Sequence, residues 1–126
     1  MNKRRIVKEV LLWIIALLLT LVCLRSGLQK VTGNVFWIRD FHRWGYSDSF
    51  RVIVGIAELL SAVLLLVPRF AAYGAGLFSV VMLGAIYTHA THHESVRLPF
   101  NILLLAMAIT VTIVRRPAFS SSQGHP

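Results

Sequence analysis

The sequence predicts an all-α fold, an integral membrane four-helix bundle with a short interfacial helix between helices 1 and 2. Of the 126 residues, 56% are hydrophobic and only 14% are charged, whereas soluble domains carry about 25% charged residues. The apolar residues also fall into four runs close to the roughly 17–25 residues that cross a bilayer as a helix. These observations favour a surface that faces lipid.

The predicted helices cover residues 6–28, 50–67, 70–90 and 99–114, within one transmembrane domain over residues 1–116. No small-residue cleavage site follows the first run, so we expect a retained helix and not a signal peptide. Pro68 and Arg69 predict a tight turn between helices 2 and 3, and Pro99 suits the first turn of helix 4. Pro117 ends that helix, and the small polar residues 117–126 predict a disordered cytoplasmic tail.

The connection between helices 1 and 2 alternates aromatic and charged residues at roughly helical spacing. Asn34 is a suitable N-cap for a short helix there, and Gly45 a suitable end. Aromatic side chains with polar tips concentrate where the bilayer meets water, so the pattern indicates a helix lying on the outer surface. We favour an anchor that sets the depth of the bundle, with a lid over a ligand pocket as the alternative.

The formal net charge is +8 and the sequence pI is about 10.9. The basic residues flank apolar runs instead of forming one soluble basic face, which argues against a nucleic-acid partner and for anionic lipid headgroups. One side of the predicted bundle carries Lys3, Arg4, Arg5, Lys8, Arg69, Arg115 and Arg116. The other carries Lys30, Arg39, Arg43, Arg51 and Arg97, diluted by three acidic residues. The positive-inside tendency therefore predicts cytoplasmic termini.

Polar side chains within the predicted helices concentrate in the outer half of the bundle. Four segments bring them to one depth: Arg25, Gln29, Lys30, Glu58, Thr88, His89, Thr91 and Asn101. Because polar groups in hydrocarbon are costly unless they are partnered, we expect Arg25, Lys30, Glu58, His89 and Asn101 to form a ligand-binding site or a buried polar cluster.

Glu58 is the central residue of this prediction, because it has no charged neighbour within one helical turn. Arg25, Lys30 and His89 are its candidate partners. We favour Arg25 and His89, since both lie near the outer boundary, within about 10 Å of Glu58 along the axis at 1.5 Å per residue. A structural ion pair that fixes helix register is as plausible a role as a proton- or ligand-binding site.

No metal site is expected. The weak alternative is His89 and His93, at i and i+4, completed by Glu58, but spacing alone lacks the ligand context that a site requires. The sequence contains no nucleophile elbow, phosphate loop or Cys-x-x-Cys motif. The single cysteine, Cys23, fits a buried packing residue. Whether the protein is an enzyme stays open at this point.

Three segments resemble the DoxX-like family of small bacterial membrane proteins. Residues 25–33 (RSGLQKVTG) resemble the Gly-x-x-Lys signature that ends the family's first helix, and residues 55–69 resemble its second helix and turn. Residues 85–89 resemble its third helix, and the similarity extends over about residues 10–116. The resemblance implies a compact four-helix bundle in the bacterial inner membrane, and it matches Lys30, Glu58 and His89 to the family's recurrent polar positions.

Two functions are consistent with these residues and with the resemblance. The resemblance implies a subunit of a membrane redox complex, in which the outer polar layer binds a quinone as cofactor. The alternative is an assembly or chaperone-type scaffold without chemistry of its own, which fits the family's distant eukaryotic relatives. A small-solute transporter is the weakest option because four short helices leave little room for a path. The expected partners are the lipid bilayer, redox-complex subunits or further copies of the chain.

Overall fold

The computed structural model describes residues 2–116, which are 85% helical and contain no strand. The helices are α1 (Lys3–Thr32), α2 (Val35–Arg43), α3 (Asp48–Leu65), α4 (Ala71–Thr91) and α5 (Leu98–Val114), with a 3₁₀ turn at Pro68–Phe70. The all-helical prediction is therefore confirmed for this part of the chain. The predicted disordered tail, residues 117–126, lies outside the described residues.

Helix ends follow local capping chemistry that hydropathy alone does not locate. Asn2 accepts a hydrogen bond from the Arg4 amide at 2.8 Å, and Gly33 closes α1 in the left-handed conformation with φ of 82°. α1 consequently extends beyond the predicted 6–28 at both ends. Ser47 caps α3 by accepting from the Phe50 amide at 3.1 Å, so that helix begins at Asp48 and not at residue 50. Side-chain caps of this kind are worth about 1 kcal/mol each.

The short helix α2 lies where the aromatic connection predicts it. Asn34 accepts a hydrogen bond from the Phe36 amide at 2.9 Å, as expected of the N-cap, and Gly45 follows the helix with a φ of 85°. The α2 side chains Phe41 and Asp40 are buried, whereas Val35 and Phe36 are exposed. α2 therefore turns one face toward the other helices and leaves apolar side chains on its outer face.

Two helical segments in the described part of the chain, Lys3–Thr32 and Pro68–Thr91, are long and apolar enough to cross a membrane. α5 is apolar but shorter. Large apolar side chains are exposed along α1, α3, α4 and α5, including Leu21, Val63, Val80 and Leu103. An exposed apolar surface of this extent is typical of contact with lipid.

Small residues bring the helices close together around a core that contains Cys23 and Phe78. The main packing pairs are α1 with α3, α3 with α4, and α4 with α5, and α1 meets α5 over a smaller area. Arg115, the residue directly after α5, donates two hydrogen bonds to the Glu9 carboxylate of α1, at 3.1 and 2.8 Å. The start of α1 and the end of α5 therefore lie at the same end of the molecule, opposite to α2.

Candidate functional site

A cavity of about 710 Å³ lies at the α2 end of the molecule and is bounded by all five helices. Its walls are mainly aromatic and aliphatic. The polar side chains that line it are Arg25, Ser26, Gln29, Lys30, Tyr46, Glu58, Thr88, His89 and Asn101. All five residues of the predicted polar cluster thus border one cavity, although they do not all bond one another.

Glu58 forms a buried ion pair with Lys30. The side chains are 1% and 7% exposed, and the Lys30 ammonium donates to Oε1 of the carboxylate. The same ammonium donates to the Ser26 hydroxyl at 2.9 Å and lies 4.2 Å from the centre of the Trp37 ring. Within residues 2–116, no group donates to the second carboxylate oxygen, Oε2, of Glu58. Glu58 therefore lines the cavity with a free hydrogen-bond acceptor.

The close crossing of α1 and α3 explains why Lys30 reaches Glu58. A Cβ atom on Gly27 would lie 2.9 Å from the Gly55 carbonyl oxygen, and one on Gly55 would lie 3.0 Å from the Gly27 carbonyl oxygen. Two helices can approach this closely only where neither carries a side chain. Arg51 adds a second link across the same crossing, because its guanidinium donates to the Lys30 carbonyl oxygen.

The favoured pairing of Glu58 with Arg25 and His89 is wrong. Cys23, Gly27 and Lys30 belong to the buried stripe of α1, and at about 100° per residue Arg25 is turned roughly 140–160° away from them. Arg25 is exposed and borders the cavity at its edge, without a hydrogen-bond partner among residues 2–116. Arg25 is close enough to Glu58 when only the distance along the helix axis is considered. Its position around the axis of α1 turns it away from the buried stripe, and this excludes the pairing with Glu58.

His89 bonds Glu94, a residue outside the polar cluster predicted from the sequence. Its Nδ1 lies 2.7 Å from the Glu94 carboxylate, and its ring packs edge-on against Trp44 at 5.3 Å between centres. Burial by itself would raise the pKa of Glu94, but hydrogen bonds from His89 and Arg43, with the charges of Arg43 and Arg97, lower it to about 2. Glu94 follows the end of α4, a position that sequence alone suggests is solvated.

Polar contacts hold α2 over the cavity. Arg43 and the Trp44 indole both donate to Glu94, the indole at 3.2 Å, and Arg97 donates to Asp40 at 3.1 Å. Further contacts join Trp37 to Gln29 at 2.9 Å and Tyr46 to Thr88 at 2.7 Å. Trp37, Phe41 and Trp44 line the cavity. α2 thus covers the cavity, which is the placement that the lid alternative requires.

Asn101 is a largely buried polar side chain in the wall of the cavity. It is 8% exposed, lies in the first turn of the apolar helix α5, and its amide makes no hydrogen bond within residues 2–116. In that part of the chain, Arg51 Nε is the single fully enclosed side-chain nitrogen or oxygen without a partner. Asn101 lines the cavity and its amide atoms are not fully enclosed, so the side chain can offer both a donor and an acceptor there.

The alternative metal set of His89, His93 and Glu58 is not assembled. Glu58 bonds Lys30, His89 bonds Glu94, and His93 is exposed beyond the end of α4 with a φ of 58°. Residues 2–116 contain no group of three His, Cys, Asp or Glu side chains that could hold a metal ion.

Comparison with known proteins identifies relatives over most of the chain. The sequence profile described as the DoxX-like family matches residues 14–111. The chain is 33% identical over 73 residues to Uncharacterized protein YwoB of Bacillus subtilis (strain 168). That alignment covers 58% of this chain and 47% of the relative, so the chain spans about half the length of the curated protein it matches. No solved structure matches.

Proposed function

The chain belongs to the DoxX-like family, and from this premise we propose that it is a quinone-binding subunit of a membrane redox complex. α1, α3, α4 and α5 would form a transmembrane bundle in the bacterial inner membrane, with α2 in the outer interface and both termini in the cytoplasm. The cavity beneath α2 would hold the quinone head group. The chemistry supplied by the bound group is reversible two-electron, two-proton transfer.

The form of the cavity supports this ligand class. Ligand sites commonly enclose about 300–1,000 Å³, with apolar walls and a few convergent polar groups. A cavity of about 710 Å³ accommodates a substituted benzoquinone or naphthoquinone ring with the first part of its tail. Trp37, Phe41 and Trp44 provide flat aromatic surfaces against which such a ring can stack.

The observation that carries the proposal is the unpartnered Asn101 amide. An accessible amide in the cavity wall can form a hydrogen bond with a ligand that carries matching polar atoms, and such a bond contributes about 0.5–1.5 kcal/mol. The amide N–H can donate to a quinone carbonyl oxygen, and the free Oε2 of Glu58 can accept from a quinol hydroxyl group. One cavity therefore offers complementary groups for both redox forms.

Exposed side chains at the edge of the cavity support entry from the bilayer. Ile53 of α3 and Val80 and Tyr87 of α4 line the cavity and are 61%, 65% and 67% exposed. α3 and α4 meet tightly near their connecting turn, where a Cβ on Gly74 would lie 2.9 Å from the Ser61 carbonyl oxygen. Nearer α2, the two helices flank the cavity. This side would open toward lipid, which suits a ligand with an isoprenoid tail.

The test measures binding of a short-chain benzoquinone to the purified protein. Quenching of tryptophan fluorescence and the shift of the melting temperature report the binding. We expect saturable binding that weakens at least about fivefold in Asn101→Leu, because a bound ligand atom left without its hydrogen bond costs about 1–3 kcal/mol. Thr112→Val is the matched control, since Thr112 lies on α5 outside the cavity and bonds the Ala108 carbonyl. Binding that is absent, or unchanged in Asn101→Leu, contradicts the proposal.

One observation supports the alternative that the protein is a scaffold. Val35 and Phe36 of α2 are 68% and 69% exposed, and they form an apolar face at the outer end of the molecule. A partner membrane protein could bind there. Photocrosslinking from position 36 in cells, with position 39 as a polar control on the same helix, would reveal such a partner. One specific crosslinked protein without any quinone binding would favour the scaffold.

A further inference from the structure

A second cavity, of about 560 Å³, lies at the opposite end of the molecule from α2. It is a groove between the first turns of α1 and the last turns of α5, and we call it the α1–α5 groove. Val7, Leu11 and Ile15 of α1 provide apolar walls, and Thr110 and Val114 of α5 face them. Lys3, Arg4 and Lys8 line its outer end.

These three cations have no acidic partner within residues 2–116. Glu9 is the nearest carboxylate in the sequence, and both of its oxygens accept hydrogen bonds from Arg115. The first turn of α1 contains no acidic residue. Positive charges at a helix N-terminus repel the positive end of the helix dipole, an arrangement that an added anion relieves. The outer end of the groove is therefore complementary to an anionic group.

The dimensions of the groove match one lipid. From Lys3 to Ile15 the axis of α1 rises about 18 Å at 1.5 Å per residue, and half of a typical hydrocarbon core is about 15 Å thick. A phosphate at the level of Lys3, Arg4 and Lys8 would place an acyl chain along Val7, Leu11 and Ile15. The order of polar and apolar groups along the groove is that of a phospholipid in one leaflet.

We propose that the α1–α5 groove binds one anionic phospholipid, with its phosphate against Lys3, Arg4 and Lys8 and an acyl chain between α1 and α5. The proposal requires only that α1 crosses the membrane, and it is independent of quinone binding at the other end. The bound lipid would cover the seam where α1 and α5 share their smaller contact area.

Native mass spectrometry of the detergent-purified protein tests the proposal by titration with phosphatidylglycerol or phosphatidylcholine. We expect a saturable one-to-one adduct that prefers phosphatidylglycerol. Substituting Lys3→Gln, Arg4→Gln and Lys8→Gln together should weaken that adduct at least tenfold, because each basic residue near an anionic surface contributes about 1 kcal/mol, or about fivefold. Excess glycerol phosphate should not displace the lipid, since it lacks the acyl chain.

The matched control removes the same charge outside the groove, with Arg5→Gln, Arg69→Gln and Arg116→Gln, and should keep the preference. Thr110→Phe narrows the groove without a change in charge and should also weaken the adduct. Circular dichroism verifies that each variant is folded. Equal binding of the two lipids, equal losses in both triple variants, or full binding in Thr110→Phe overturns the proposal.

Discussion

At the scale of single residues, Lys30 and Glu58 form a buried ion pair between two helices. Both side chains are almost fully enclosed, and they join α1 to α3 beside the Gly27–Gly55 crossing. Ions taken out of water are stabilised only by good mutual geometry and further hydrogen bonds, and loss of one partner leaves an uncompensated charge. The pair therefore makes the α1–α3 packing sensitive to either residue.

Glu58→Ala should lower the free energy of unfolding by about 3–5 kcal/mol, because it leaves the Lys30 ammonium buried without its counter-ion. Lys30→Ala should have a similar effect, and the double variant should be more stable than the sum of the two losses predicts. Thermal or denaturant unfolding in detergent measures these values. Arg25→Ala is the control and should stay within about 0.5 kcal/mol, as exposed positions do. Strict additivity of Glu58→Ala and Lys30→Ala would contradict a direct pair.

Glu94 makes the stability of the folded protein depend on pH. Its pKa is lowered from 4.5 to about 2 in the folded protein, so the unfolded chain takes up a proton first as the pH falls. The stabilisation is complete above about pH 5 and is lost progressively as the pH approaches 2. Unfolding midpoints of wild type and Glu94→Gln should therefore differ most near neutrality and converge in acid. A difference that is constant from pH 7 to pH 3 would exclude this origin.

The sequence was sufficient to select the polar residues of the site but not to pair them. Lys30, Glu58, His89 and Asn101 could be chosen because polar groups in apolar helices are costly and few. The partners depend on rotation about each helix axis, which a close glycine crossing fixes and hydropathy does not report. Glu94 was missed because it lies in a polar loop. Its contact with His89 forms only after the chain turns back at the end of α4.

At the scale of elements, glycine positions determine which helices touch. The two glycines of the α1–α3 crossing have almost no room for a side chain, whereas a Cβ at Gly76 of α4 meets nothing within 4 Å. Glycines that all lie within helices therefore differ in whether they tolerate a larger residue. The difference is a property of packing between helices and not of helix propensity.

Gly27→Ala should destabilise the protein by about 1–3 kcal/mol, because the added methyl group is forced against the Gly55 carbonyl and Leu59. Gly76→Ala should be neutral or stabilising by up to about 1 kcal/mol, since alanine has the higher helix propensity and space is free. Parallel thermal melts of the two variants measure the difference. Equal effects would show that α1 and α3 are not in close contact there.

The sequence predicts where each helix lies better than it predicts where each helix begins and ends. The four apolar runs and the aromatic connection each correspond to a helix, because hydrophobic burial and lipid contact select the same residues in sequence and structure. The ends moved where a capping side chain or a proline determines how an element begins, as at Asn2, Ser47 and Pro68. Hydropathy carries no information about those local hydrogen bonds.

At the scale of the whole molecule, the two ends differ in charge balance. The end with the start of α1 and the finish of α5 carries mainly basic groups, whereas ion pairs neutralise much of the charge at the α2 end, including Arg43–Glu94 and Arg97–Asp40. An excess of Lys and Arg marks the cytoplasmic side of membrane proteins. Because this tendency counts Lys and Arg and not net charge, the proposed orientation depends on the larger number of basic residues at the first end.

Reporter-protein fusions expressed in a bacterial host measure the proposed orientation of the chain in the membrane. A fluorescent protein at the C-terminus should be fluorescent, and alkaline phosphatase at the same point should be inactive, because both termini are proposed to be cytoplasmic. Alkaline phosphatase inserted near residue 95, between α4 and α5, should be active. The reverse pattern would show that the chain is inserted the other way, with the cavity facing the cytoplasm.

The fully buried Cys23 has a practical consequence for spectroscopy. Its thiol lies in the core with 0% exposure, and it is the one cysteine of the chain. A thiol reagent needs access to a thiolate, which this position denies. Spin labels or fluorophores can therefore be attached at newly introduced cysteines on α2 or beside the cavity while the native chain provides a silent background.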